Sequence, residues 1–159
     1  NEILNENESI FLSFVPSVFE KYRKSNSEYS KHSVRVVETL SAFLNTDGGL
    51  LVLGVNPEKK ILGLEEEFQI LSKEKNWSGW KLEFSNMVEN IIGSHFNGFW
   101  KLEKIEYDGK IFGMVRIKKS VDPVFIKNEN ILKLFTRYFD KNRNLTSKNR
   151  SQYIDVVFR

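Results

Sequence analysis

Residues 39–55 constrain the fold more than any other part of the chain. Apolar residues recur at helical spacing from Val36 to Leu44, and Asn45-Thr46 follows, a pair that is unfavourable inside a helix. Gly48-Gly49 can adopt the left-handed conformation that ends a helix. Residues 50–55 are almost continuously apolar, which is typical of a strand covered on both faces. The segment therefore predicts a helix, a tight turn and a buried strand, in that order.

The rest of the chain predicts an α+β domain with a mixed β-sheet and packed helices. Residues 8–15 indicate a first strand, and the helix before the Gly-Gly turn begins near residue 28. Residues 80–96 have the i, i+4, i+7, i+8 apolar spacing of an amphipathic helix, and Thr146 can cap a final helix. The remaining predicted elements are a short helix around Val18, Phe19 and Tyr22, a hairpin strand over 61–64, a helix over 65–75, strands over 99–107 and 110–118 joined by an Asp108-Gly109 turn, strands over 124–126 and 131–138, and the final helix over 147–158.

Length and composition limit the class of protein. A chain of 159 residues with 40% hydrophobic residues can form one domain with a substantial core. The absence of cysteine excludes disulfides and thiolate metal sites. No apolar run is long enough for a membrane span and no signal-peptide pattern is visible, so we expect a cytoplasmic protein with no membrane partner. We expect a single domain over residues 1–159, which forms the N-terminal part of a longer protein. Homo-oligomers or additional domains of that longer chain are the expected protein partners.

The Gly-Gly segment resembles the central motif of the Schlafen AlbA-like domain family. That motif reads Asn-Thr-Asp-Gly-Gly between a helix and a strand, and residues 45–49 have the same five residues. Residues 61–64, Ile-Leu-Gly-Leu, resemble the family's next strand, and weaker similarity covers residues 135–137, 142–145 and 153–154. The resemblance therefore spans nearly the whole chain. It implies a Schlafen AlbA-like α+β fold of a class described as DNA-binding.

An older name for this family, divergent ATPases, raises nucleotide hydrolysis as a possible activity. A phosphate-binding loop needs G-x-x-x-x-G-K-[ST] between a strand and a helix. Gly48-Gly49 lies instead between a helix and a strand, with no Lys-Ser/Thr after it. We interpret these glycines as a turn, in which Asp47 is expected to bond backbone amides, and we expect no cofactor.

A metal-dependent nuclease is a second activity that the resemblance raises. Some Schlafen-family domains cut RNA with a cluster of acids, which hold a divalent metal that activates water. Transferred by position, the first acid is Glu8, but the second position is Ser13 and the third is Asn56. The family's lysine position is Val15, and Glu58 is the nearest replacement acid. The resemblance therefore implies a degenerate cluster, with no metal site and no catalytic residues.

The charge distribution and the family resemblance together favour nucleic acid as a partner. Residues 1–100 carry 10 Lys or Arg against 14 Asp or Glu, whereas residues 101–159 carry 14 against 7. We expect exposed rings at Tyr138 and Phe139 that can stack on unpaired bases. The alternative interpretations are a solvated lysine-rich surface and a solvated loop with two core aromatics. The candidate phosphate contacts are Arg137 and Arg143 as the central pair, with Lys141, Lys148 and Arg150 in support and Lys118 and Lys119 on a neighbouring strand. The alternative for Arg137 is a pair with an internal acid, in which case its loss would unfold the domain.

These observations predict a non-enzymatic domain that binds DNA or RNA through the phosphate backbone, within a regulatory or defence protein. The alternative from another class is a protein-interaction or scaffold module that binds no nucleic acid. A metal-dependent nuclease is the third hypothesis, and it is disfavoured by the acids that the sequence lacks.

Overall fold

The protein is organised around a four-stranded mixed sheet. We describe it from a computed structural model that covers residues 2–19, 29–128 and 130–159. In spatial order the strands are β1 (Leu12–Val15), β2 (Gly49–Leu53), β4 (Lys110–Ile117) and β3 (Trp100–Tyr107). The edge pair β1–β2 is parallel, while β2–β4 and β3–β4 are antiparallel, so the predicted mixed sheet is confirmed.

Among the described residues, four α-helices accompany this sheet, and side chains cap three of them. Ser30 accepts a hydrogen bond from the Ser33 amide (3.0 Å), and Asn76 accepts one from the Gly79 amide (3.0 Å). Thr146 caps the last helix, as its sequence predicts, by accepting from the Asn149 amide. The helices are α1 (Lys31–Asn45), α2 (Glu65–Phe68), α3 (Trp77–Ile92) and α4 (Ser147–Val157), with 3-10 helices at Glu2–Asn5 and Ser94–Phe99.

In the described part of the chain, two small antiparallel hairpins follow β4 and precede α4 in sequence. The first pairs β5 (Ile126–Asn128) with β6 (Ile131–Lys133), and the second pairs β7 (Phe135–Tyr138) with β8 (Lys141–Asn144). The single strand predicted over 131–138 is thus interrupted at Leu134. This residue is fully buried, and its carbonyl accepts the Leu145 amide (3.0 Å) rather than continuing a ladder.

Three other predicted elements are shorter than expected. β1 begins at Leu12 rather than residue 8, and residues 61–64 form only one bridge, between Val55 and Ile61. The helix predicted over 65–75 ends at Phe68, and residues 72–76 are exposed. Most of the short helix predicted around Val18 and Tyr22 lies outside the described residues.

The apolar strand β2 is covered on both faces, as its sequence predicts. Leu51 and Leu53 face the main core, whereas Val52 points to a smaller cluster on the opposite side of the sheet. The main core includes Leu40, Phe43, Trp80, Phe84 and Val115, and the smaller cluster includes Leu12, Phe14, Val55 and Phe112 with Ile3 and Leu4 packed against it.

The Gly-Gly turn is held in a conformation that other residues rarely adopt. Gly48 has φ +73° and Gly49 has φ +153°. A Cβ on Gly49 would lie 2.7 Å from the Phe11 carbonyl oxygen and 2.8 Å from the Phe43 ring. These glycines therefore let α1 reverse into β2 beneath the residues before β1, which confirms the predicted turn.

Asn45, at the end of α1, joins the helix to the C-terminal half of the chain. Its side chain is 0% exposed. The Nδ2 amide donates to the carbonyls of Val124 (2.9 Å) and Phe135 (3.0 Å), and Oδ1 accepts the Val124 amide (2.8 Å). The Asn45 carbonyl also accepts the Tyr153 hydroxyl from α4. One residue therefore satisfies buried polar groups on three separate segments.

We expect Asn45→Ala to lower the free energy of unfolding by about 3 kcal/mol, because it leaves buried amide and carbonyl groups unpaired. Asp47→Ala, at an exposed position two residues away, is the matched control and should stay within about 0.5 kcal/mol of the parent. Urea denaturation followed by circular dichroism measures both. Equal effects of the two substitutions would contradict the role assigned to Asn45.

Glu67 is a buried carboxylate that fixes the segment after β1. Its oxygens accept hydrogen bonds from the amides of Val18 (3.0 Å) and Phe19 (2.9 Å) and from Trp80 Nε1 (3.1 Å). Burial raises the pKa of Glu67 above its ordinary value of 4.5, and these donors oppose the rise only in part. The folded protein therefore binds a proton at Glu67 more readily than the unfolded chain does.

This pKa shift gives stability a defined dependence on pH. Above pH 4.5 the unfolded chain loses the Glu67 proton first, so the contribution of this group is present below pH 4.5 and is lost as pH rises through the folded-state pKa. The parent protein should therefore lose stability relative to Glu67→Gln as pH is raised from 4.5. Denaturation curves of both proteins at several pH values test this, and a constant difference between them would contradict it.

Candidate nucleic-acid interface

The outward side of the β7–β8 hairpin combines cations and exposed rings. Tyr138 pairs with Lys141 and Thr136 pairs with Arg143, so side chains at these positions share one face of the hairpin. The Arg143 guanidinium lies over the Tyr138 ring, 5.3 Å from its centroid. Lys141 and Arg143 are both exposed. We call Tyr138, Phe139, Lys141 and Arg143 the hairpin face.

Phe139 occupies the two-residue turn of this hairpin. It is 70% exposed and the adjacent Tyr138 is 53% exposed, which confirms the exposed rings predicted from sequence. Their centroids are 4.8 Å apart with the rings at 73°, an edge-to-face contact. The two rings therefore form a single apolar tip next to Lys141.

Arg137 lies on the opposite, inward side of the same hairpin. The residue is only 5% exposed, and its guanidinium donates to Asn142 Oδ1 (2.8 Å) and the Ser9 carbonyl (2.6 Å) and covers the Phe43 ring (4.7 Å). Burial lowers the pKa of Arg137, and the Glu8 and Asp140 carboxylates act in the opposite direction. The predicted role of Arg137 as a central phosphate contact is therefore disfavoured, because the side chain is buried and two of its guanidinium nitrogens donate inside the domain.

Three other predicted contacts lie in or beside α4 and have different surroundings. Arg150 is half-buried, donates to the Leu132 carbonyl (2.7 Å) and lies over the Phe125 ring (5.9 Å), so it attaches α4 to its neighbours. Lys119 lies over the Phe158 ring (5.6 Å), at the other end of α4. Lys148 is exposed in the first turn of α4. Of the predicted set, the structure brings together only Lys141 and Arg143 on the hairpin face.

Lys118 lies apart from the hairpin face, in a basic groove on the main sheet. This groove has a volume of about 610 Å³, and its walls include Leu50, Trp100, Lys101, Arg116 and Lys118. Lys101 and Arg116 are direct cross-strand partners, an arrangement that costs stability for like charges. Glu103 Oε1 pairs with Arg116 Nε at 3.1 Å. We call this the sheet groove.

Lys101 and Arg116 were not among the binding residues predicted from the sequence. The signal was available, since a two-residue turn at Asp108-Gly109 fixes the register of the hairpin and places residue 101 opposite residue 116. Counting back from the turn would have found both residues.

The acids that the nuclease hypothesis requires have structural roles or are replaced. Glu8 Oε1 accepts the Phe14 amide (2.8 Å), and Asn56 Oδ1 accepts the Lys60 amide (2.9 Å) within a turn. Ser13, at the second acid position, is buried in β1. Within residues 2–19, 29–128 and 130–159, no group of three His, Cys, Asp or Glu side chains is arranged to hold a metal ion.

The mixed sheet, the Gly-Gly turn and the two C-terminal hairpins define an α+β domain of the AlbA-like class. The family model described as "Schlafen, AlbA_2" matches residues 17–146. The chain belongs to the Schlafen AlbA_2 family, as its central motif predicted. At the level of the family this is a nucleic-acid-related domain.

One solved structure shows the same fold. The crystal structure of the DIP2311 protein from Corynebacterium diphtheriae matches with a TM-score of 0.60 and 12% sequence identity. The match covers 91% of this chain but 26% of that one, so the chain spans about a quarter of the length of that protein. No curated protein matches the sequence. In the part of the chain that the structure describes, none of the helices has the length and apolarity needed to cross a membrane.

We expect Arg137→Ala to destabilise the domain by about 2–3 kcal/mol, because it removes two hydrogen bonds made by a buried charged group. Arg143→Ala, six residues away on the exposed face, is the control and should change stability by about 0.5 kcal/mol or less. Thermal unfolding measures both. A parent-like melting temperature for Arg137→Ala would contradict the structural role of this side chain.

Proposed function

We propose that the domain binds the phosphate backbone of DNA or RNA through its hairpin face, without catalysing a reaction. The observation that carries this proposal is the state of Lys141 and Arg143. Both are exposed, and neither forms an ion pair with any carboxylate among the described residues. Cations left without internal partners are available to phosphate oxygens. Membership of a nucleic-acid-related family supports the same partner.

The contact between Arg143 and Tyr138 favours phosphate binding, in addition to the exposure of Arg143. The guanidinium rests on the Tyr138 ring, which restricts its rotamers while leaving its N–H groups outside the core. A cation held in place loses less entropy when a phosphate binds. The basic C-terminal third of the chain adds a longer-range attraction, with 14 Lys or Arg against 7 Asp or Glu.

The non-enzymatic part of the proposal is supported by the position of the first family acid. Glu8 accepts the Phe14 amide and lies close enough to Arg137 to influence its pKa. The other two family acid positions are occupied by Ser13 and Asn56, which cannot supply carboxylate ligands. We therefore propose that this member of the family binds a polyanion without hydrolysing it.

The test is a titration of fluorescently labelled DNA and RNA at several salt concentrations. Parent protein should bind with an affinity that falls steeply as salt rises, because phosphate contacts release counterions. The double variant Lys141→Ala/Arg143→Ala should bind more weakly and show a salt slope smaller by about two. Lys73→Ala/Lys75→Ala is the matched control, because it removes the same charge from exposed positions in the loop before α3 and should bind like the parent.

Three other outcomes would change the assigned function or the position of the interface. No binding by parent protein at low salt would contradict the proposal and favour a protein-interaction module. Loss of binding in Lys101→Ala/Lys118→Ala, with the hairpin variant unaffected, would move the interface to the sheet groove. Cleavage of the labelled strands in Mg²⁺ or Mn²⁺ that disappears in Glu8→Ala would show an active nuclease.

A further inference from the structure

The tip of the β7–β8 hairpin has an unfavourable residue at its turn. Phe139 has φ +54°, in the left-handed region that turns usually fill with Gly, Asn or Asp. A bulky side chain there is strained, and the Phe139 ring is 70% exposed, so burial in the core does not compensate for the strain. Strain of this kind is concentrated at functional positions.

We propose that Phe139 and Tyr138 form a stacking platform for unpaired bases, so that the hairpin face selects single-stranded nucleic acid. This inference rests on the proposed function and names its substrate class. Every base has a π-face, so exposed aromatic rings bind single strands with little regard to sequence. In a duplex the base faces are already stacked on one another, and such a platform cannot reach them.

The hollow beside the tip is suited to a base and unsuited to a phosphate. It measures about 550 Å³, and Ile10, Tyr138 and Phe139 supply its apolar lining. Glu8 and Asp140 lie at the same hollow together with Arg137, so the lining carries two negative charges against one positive charge and repels phosphate oxygens on balance. The same carboxylates can accept hydrogen bonds from base amino groups. The charges therefore orient a strand with its bases towards the tip.

The backbone of that strand has a path along the adjacent cations. Lys141 is the cross-strand partner of Tyr138, and Arg143 is two residues further along β8 on the same face. Arg143 also lines a groove of about 500 Å³ between β8 and α4, where Asn149 and Gln152 offer further polar contacts. Rings, cations and amides thus succeed one another across one continuous surface.

Three labelled probes of equal length separate stacking from backbone attraction: a single strand, its duplex, and an abasic strand that keeps the phosphates but lacks bases. Each is prepared as DNA, and the single strand and duplex also as RNA. Parent protein should bind the single strand about tenfold more tightly than the abasic strand, in line with one or two stacked bases. The duplex should not exceed the abasic strand.

Phe139→Gly is the diagnostic variant, because glycine accepts the positive φ and removes only the ring. It should unfold at the same temperature as the parent or higher, lose about tenfold in affinity for the single strand, and bind the abasic strand unchanged. Lys141→Ala/Arg143→Ala should instead weaken binding to all three probes. Only a stacking role predicts these two different patterns.

Two results would overturn the inference while leaving the proposed function intact. One is equal affinity of the parent for single and abasic strands, and the other is full single-strand affinity in Phe139→Gly. Binding of no probe at low salt would refute the proposed function and this inference together. A dimer detected by analytical ultracentrifugation, lost in Phe139→Gly while strand affinity is unchanged, would assign the tip to a second copy of the chain.

Discussion

The buried carboxamide of Asn45 is the interaction on which the rest of the domain depends. The carbonyl and amide of Val124 and the carbonyl of Phe135, the first residue of β7, would be unpaired without it, in surroundings that exclude water. An amide side chain suits this position because it both donates and accepts, and it carries no charge to desolvate. Thr46 continues the connection, since its hydroxyl accepts the Arg137 amide (2.9 Å). The motif at the end of α1 therefore fixes the position of a hairpin that begins about ninety residues later.

The fixed hairpin has two sides with different roles. On the inward side, Arg137 and Asn142 bond each other, and Asn142 also donates to Thr39 on α1. Because side chains alternate along a strand, the inward position of Arg137 and Asn142 places Tyr138 and Arg143 on the outward side. Two arginines of one short segment therefore have different environments. Arg137 stabilises the interior, whereas Arg143 is exposed and available to a partner.

The sequence predicted the parts of the fold that depend on local patterns. Apolar periodicity predicted α1 and α3. The glycines predicted the turn, and Thr146 predicted the start of α4. β8 was missed because Lys-Asn-Arg-Asn has no apolar alternation, and its pairing depends on a turn with Phe139 at positive φ. An internal role for Arg137 was one interpretation of the sequence, but its partner at Ser9 could not be predicted, because only the complete fold brings the two residues together. The exposure of Arg143 was predictable from charge, whereas its contact with Tyr138 required the register.

The hydrogen bond from Arg137 to the Ser9 carbonyl joins residues 128 positions apart in the chain. Protein synthesis proceeds from the N-terminus, so a ribosome must release nearly the whole domain before this contact can form. Until then, the strand around Leu12 can pair with β2, but the Phe43 ring lacks the guanidinium that covers it. A nascent chain of this family member therefore completes its core only when its last hairpin emerges. Contacts of such wide sequence separation also slow refolding in solution, where closing long loops precedes the gain from packing.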